Sequence, residues 1–254
     1  MPQQDATQQT NVSNVQRAAG VCTELGRRYQ PVQEFIKPAV LNAYCTDCEV
    51  MLTATYNKER DYDEARTARK ALFTGLAPFG TRIVNALISC RAPEAVVAEA
   101  RGLVQDIRGE RAGKKPKAAG SATSAEEVAQ QISAAQTSFD SRTGHLGKLV
   151  QLADRLRDRY TPSAPDLQIA ALKERLLKTQ EANKAVSDAG AAYSTALIER
   201  DRLLYDVQTG LGARLKAIRA EFKSLFGTRS AEYKMLKGLY VTVPRSARVA
   251  VPAV

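Results

Sequence analysis

The chain has 254 residues, a formal net charge of +10, no tryptophan and modest Gly and Pro content, a length that allows one large domain or two small ones, each with its own core. Abundant Ala, Leu, Arg, Lys, Glu and Gln favour helix over sheet. Residues 1–13 lack the basic and apolar regions of a secretory signal, and no window approaches the ~18 consecutive apolar residues that span a bilayer. Four cysteines (Cys22, Cys45, Cys48, Cys90) in such a chain fit free thiols in a reducing cytoplasm better than a disulfide framework, so a cytoplasmic location is expected.

In chain order, the polar stretch "MPQQDATQQTNVS" reads as a disordered tail over 1–13. Residues 14–108 read as a first helical bundle. A helix ends near "RYQP" (28–31), because proline and the residue before it resist helical geometry. A long helix follows, with Pro38 tolerated in its first turn, and Pro93 opens another that runs to about Ile107. The segment "GERAGKKPKAAGSATSA" (109–125) has no apolar periodicity and reads as a flexible basic linker.

Residues 126–238 read as a second bundle, again with a helix ending near "RYTP" (159–162). From about Pro165 to Tyr205 there is no further proline, and Leu167, Ala170, Ala171, Leu172, Leu176 and Leu177 begin an apolar face. Gly190 is the weak point, costing about 1 kcal/mol relative to alanine. Leu211, Leu215, Ile218, Phe222 and Leu225 share one face of a further helix, with Lys216, Arg219 and Lys223 on another. Gly227 suits a left-handed C-terminal cap, and a short helix begins near Ser230. The β-branched "LYVTVP" (239–244) suggests an extended tail or one short strand, opening a C-terminal tail over 239–254.

The two halves resemble each other. In the register that sets Arg28 against Arg159, Tyr29 and Pro31 face Tyr160 and Pro162, and Leu41 faces Leu172. Tyr62, Ala65, Arg69 and Leu72 face Tyr193, Ala196, Arg200 and Leu203; after a one-residue shift Gly80 and Arg82 face Gly212 and Arg214. A shared order over so many positions implies internal duplication. The expected fold is all-α: two related helical bundles, each with a long central helix, in tandem or packed as one elongated bundle.

Duplication also tests the candidate chemistry. "CTDC" (45–48) has zinc-knuckle or redox spacing, and Cys22 and Cys90 would complete a sulfur set. Yet Cys22, Cys45 and Cys90 face Ala153, Leu176 and Phe222, positions where cysteine acts as a small hydrophobe. His145, the single histidine, has no nucleophile motif beside it and reads as a surface or cap residue near a helix start. The carboxylates of "ERDYDEA" (59–65) and "ERD" (199–201) read as solvated helix faces, with Arg66 or Arg69 offsetting Glu59 and Asp63. Di-iron bundles need Glu-x-x-His motifs, and "GTRIVNA" (80–86) is no phosphate loop. No catalytic, cofactor or metal residue is assigned, and a non-enzyme is expected.

Charge is the most informative functional feature. Residues 1–107 balance at twelve basic and twelve acidic side chains, whereas from Gly212 onward nine basic side chains stand against two acidic ones. Candidate anion or nucleic-acid contacts are Lys114, Lys115, Lys117, Arg214, Lys216, Arg219 and Lys223, although no aromatic platforms interleave with them.

The pattern "NKAV...ALIERDRLLYDVQTGL...FKSLFGTRSAEYKMLKGLYVT" (183–242), with "RTARKALFTGLAPFGTRIVNAL" and "AEARGLVQDIRGERA" in the first half, resembles a family of bacterial all-helical proteins with two related halves and no assigned activity. The resemblance implies a helical, non-enzymatic protein and brings no catalytic residues. The sequence as a whole leads to a helical scaffold that binds a protein partner or assembles with itself. Nucleic-acid association is the alternative, membrane-surface association is the weaker third, and no small-molecule substrate is inferred.

Overall fold

A computed structural model describes residues 3–108 and 125–244. Among these the chain is helical and contains no strand. Helix α1 spans Gln3–Leu25, α2 Pro38–Phe73, α3 Leu76–Ser89, α4 Glu94–Arg108, α5 Ala125–Arg155, α6 Ile169–Tyr205, α7 Leu211–Phe226 and α8 Ala231–Met235.

Local sequence explains most of the boundaries. Pro38 opens α2, and α6 runs through Gly190 without a break. The Ser230 hydroxyl caps α8 by accepting from the Tyr233 N–H. Gly227 has φ 81° and ψ 163°, so it ends α7 in an extended, glycine-favouring conformation rather than the expected left-handed cap.

Two other expectations change. Helix α1 begins inside the stretch read as a tail, because Gln8, Asn11 and Asn14 lie on one helical face and are buried despite their polarity. The "LYVTVP" segment forms no strand. Its extended backbone is met instead by side chains of α1: the Asn11 amide accepts from Thr242 N–H at 2.9 Å and donates to Thr242 C=O at 2.7 Å, and Asn14 donates to Tyr240 C=O at 2.8 Å. These bonds supply what a neighbouring strand would.

The chain divides into two compact units, each drawing on both sequence halves. Among the described residues the first holds 3–59, 125–127 and 193–244, and the second holds 60–108 and 128–192. Helices α2 and α6, of 36 and 37 residues, are each over 50 Å long at ~1.5 Å per residue. Their length carries the chain from one unit into the other.

In the first unit α7 packs on α1, on α8 and on the 3₁₀ turn Glu34–Ile36. Its core gathers Val12, Val15, Cys22, Tyr29, Leu41, Leu215, Ile218 and Phe222, with the Tyr29 and Phe222 rings 5.2 Å apart. In the second unit α3 packs on α4 and on the 3₁₀ turn Pro165–Leu167. Its core gathers Phe79, Ile83, Leu87, Val104, Leu146, Leu149, Tyr160 and Leu172. One stretch within Pro38–Ser89 is long and apolar enough, by length and composition, for a bilayer-spanning helix. It is interrupted at Gly75, with φ 78°, and the apolar side chains of α3 fill the second core.

Local geometry repeats in the register that sets Arg28 against Arg159. The 3₁₀ turns Gly26–Arg28 and Arg157–Arg159 match, as do Glu34–Ile36 and Pro165–Leu167. Gly26 and Arg157 both take positive φ, 49° and 47°, a conformation that costs a non-glycine residue about 1–2 kcal/mol. Buried positions match too: Val15 with Leu146, Ala18 with Leu149, Cys22 with Ala153, Tyr62 with Tyr193 and Arg69 with Arg200.

Candidate functional site

The basic candidates separate by their surroundings. The turn before α7 is organised by Asp206, whose carboxylate accepts from the N–H groups of Gln208 and Thr209 and from the Thr209 hydroxyl at 2.9, 2.6 and 2.8 Å. Those bonds, the Thr209 hydroxyl foremost, hold its carboxyl below the usual range. From this turn α7 projects Arg214 into the first core. There the Arg214 guanidinium donates to the carbonyls of Thr209 at 2.8 Å and of Phe35, and lies 3.8 Å from the centre of the Tyr44 ring. Arg214 is buried, and as a structural cation it is placed away from any solvent-borne anion.

Arg219, half-buried, donates to the carbonyls of Leu236 and Leu239 and ties α7 to the turn after α8. Lys216 and Lys223 are exposed on α7, the latter 5.4 Å from the Tyr233 ring. Lys114, Lys115 and Lys117, with the rest of the expected linker, lie outside the described residues.

The cysteines are free thiols. Cys22, Cys45 and Cys48 are buried in the first core, and burial pushes them up to about 11, 11 and 12. Cys90 belongs to the second unit and is half-buried. Among the described residues no group of three or more His, Cys, Asp or Glu side chains is arranged to hold a metal.

His145 lies well inside α5, contrary to the expected helix start, and its side chain is mostly buried. Its Nε2 is 3.3 Å from Ser141 Oγ and its Nδ1 3.8 Å from an Asp106 carboxylate oxygen. In the "ERDYDEA" region Arg66 pairs with Asp63 at 3.0 Å on an exposed face as expected. Arg69 does not join that face: it is buried, with its guanidinium 4.0 Å from the centre of the Phe139 ring.

The matching arginine, Arg200, borders a feature that sequence reasoning missed. In the first unit α1, α2 and α6 enclose a cleft of about 260 Å³ lined by Gln8, Leu52, Thr55, Tyr56, Tyr193 and Arg200, among others. Arg200 is buried and donates through Nε and Nη2 to one oxygen of Asp201 at 2.9 and 2.7 Å. The matching face of the second unit carries a polar depression that includes Asp140, Thr143, Asn183 and Lys184. There the Asn183 amide donates to Asp140 at 2.8 Å and to Thr143 at 3.1 Å.

Residue identities account for the difference. Phe139, which matches Gln8, sets its ring against Arg69 and edge-on to Phe73 at 4.8 Å. The first unit has the shorter Gln8 there, beside Arg200. The signals available in the sequence were the exchange of Phe139 for Gln8 and, on the long helices, of Asn183 and Ser187 for Leu52 and Tyr56. Comparison with family models, with curated proteins and with solved structures returned no match.

Proposed function

We propose that the protein is a non-enzymatic helical scaffold, built from two duplicated halves, that binds a protein partner or a second copy of itself. The observation that carries this reading is the exposure of large apolar side chains at the joints of the first unit: Val32 after α1, Val207 between α6 and α7, and Met235 and Tyr240 around α8. Exposed apolar side chains at element ends offer area that a partner can bury. The repeated 3₁₀ turns and matching positive-φ residues support the duplication. Multi-angle light scattering across a concentration series, with affinity capture from lysate and mass spectrometry, tests the proposal. A defined oligomer or one stoichiometric partner is expected, and a strict monomer that captures nothing contradicts it.

A second reading has its own support, since Lys216, Lys223, Arg229, Lys234 and Lys237 are all exposed in the first unit. It makes the protein a nucleic-acid-associated one whose binding falls steeply as salt rises, because condensed counterions are released. Fluorescence polarisation with labelled duplex DNA and single-stranded RNA measures that slope. Lys216→Gln with Lys223→Gln should flatten it, and absence of binding at low salt excludes the reading.

A further inference from the structure

The two units treat the same location differently. In the second, Phe139 supplies an aromatic ring whose centre lies 4.0 Å from the Arg69 guanidinium, and Tyr62, next to Arg69 on α2 two turns away, is buried. In the first, the arginine and the tyrosine are retained as Arg200 and Tyr193, both buried, while the residue matching Phe139 is Gln8. The cleft of about 260 Å³ opens at that place. The arginine that in one unit lies under a ring lines, in the other, a cleft.

We infer that the first-unit cleft binds a small planar aromatic molecule, which takes against Arg200 the place that Phe139 takes against Arg69. Arginine stacks on aromatic faces through its flat, weakly hydrated guanidinium, and the lining is mostly apolar, with Leu52 and Tyr56 at the sides. The volume suits one or two fused rings, near the lower end of ligand pockets. The ligand carries no negative charge, since Glu59 also lines the cleft. Arg200 already gives two hydrogen bonds to Asp201, and both side chains are largely buried, so an added carboxylate or phosphate would face the Asp201 charge at short range. Gln8 and Thr55 line the same cleft, and the Thr55 hydroxyl, which donates to the Met51 carbonyl at 2.9 Å, keeps acceptor capacity. A heteroaromatic ring with an N–H edge fits these groups best.

Indole is the probe of choice, because the chain has no tryptophan and the emission of added indole is read without tryptophan background. With the full-length protein, saturable binding of one indole per chain is expected, measured by emission and by equilibrium dialysis. Benzimidazole should displace it, whereas benzoate and cyclohexylmethanol should not. Gln8→Phe, which places in the first unit the side chain found in the second, should weaken binding at least tenfold. Tyr56→Ala, at an exposed position, should weaken it severalfold and keeps the test open if Gln8→Phe fails to fold. Non-saturable binding, equal displacement by cyclohexylmethanol, or unchanged affinity in folded Gln8→Phe or Tyr56→Ala overturns the proposal.

Discussion

Tyr29 and Tyr160 hold matching places after their helices and differ in what their hydroxyls meet. Tyr29 is buried and donates to the Ile36 carbonyl at 3.2 Å, with the Cys22 thiol as a further hydrogen-bond partner. Burial keeps both it and the Cys22 thiol neutral to higher pH. The Tyr160 hydroxyl is buried with no hydrogen-bond partner among the described residues, and burial pushes it up to about 12. Removing a bonded buried hydroxyl costs about 1 kcal/mol, whereas removing one without a partner relieves a desolvation penalty. Tyr29→Phe should therefore lower stability by about 1 kcal/mol, and Tyr160→Phe should change it by less than about 0.5 kcal/mol or raise it. Paired urea titrations read both variants; equal losses would show that the hydrogen bonds of the Tyr29 hydroxyl add nothing to stability.

Among the elements, glycines at matching positions of α3 and α7 make the sharpest contrast. A Cβ on Gly80 would stand 3.0 Å from Val104 Cγ2 and 3.6 Å from Leu149 Cδ2, whereas one on Gly212 would meet nothing within 4 Å. Val104 is buried and β-branched, so its methyl has few rotamers into which to move. Gly80→Ala should cost about 1 kcal/mol or more through crowding between α3 and α4, despite the better helix propensity of alanine. Gly212→Ala should stabilise by up to about 1 kcal/mol. Thermal melts of the two single variants decide whether the signs are opposite.

The same contrast marks what could be read from sequence. The apolar faces of α6 and α7 were legible because their apolar residues recur every three or four positions, and Pro38, Pro93 and Ser230 marked the starts of α2, α4 and α8. The start of α1 was not, since Gln8, Asn11 and Asn14 are buried to bond the distant 239–244 segment or to line the cleft. Hydropathy cannot distinguish such residues from a solvated tail. Arg214 and Arg219 were likewise legible as positive charges but not as donors to carbonyls far along the chain. The cleft was hidden for a related reason: the exchanges of Phe139 for Gln8 and of Ser187 for Tyr56 have meaning only when the neighbouring arginine is known to be buried.

At the scale of the whole molecule, the two cores differ in acid–base behaviour. On the acid side the controlling groups are carboxylates held ionised to lower pH, led by the Arg82 hydrogen bonds to Asp166, the Thr209 bonds to Asp206, and backbone and Arg28 bonds to Glu232. A carboxylate with a depressed value contributes stability above its unfolded value and loses it as pH falls through the folded one, so acid weakening should begin below about pH 4. On the alkaline side the units diverge. Cys22, Cys45 and Cys48 ionise near 9 when unfolded but are held up to about 11, 11 and 12 in the first core. Their positions in the second unit carry Ala153, Leu176 and Thr179, which do not titrate. Because the folded chain keeps these thiols neutral while the unfolded chain releases their protons, their contribution is complete below pH 9 and is lost progressively above it. Urea midpoints should be flat from pH 6 to 8 and fall above about 9. Cys22→Ala, Cys45→Leu and Cys48→Thr together transplant the second unit's residues into the first. Whatever that change does to stability at neutral pH, the variant's decline should start higher, in the tyrosine range near 10. If the parent and the variant fall with the same slope between pH 9 and 10, the buried thiols do not set the alkaline limit.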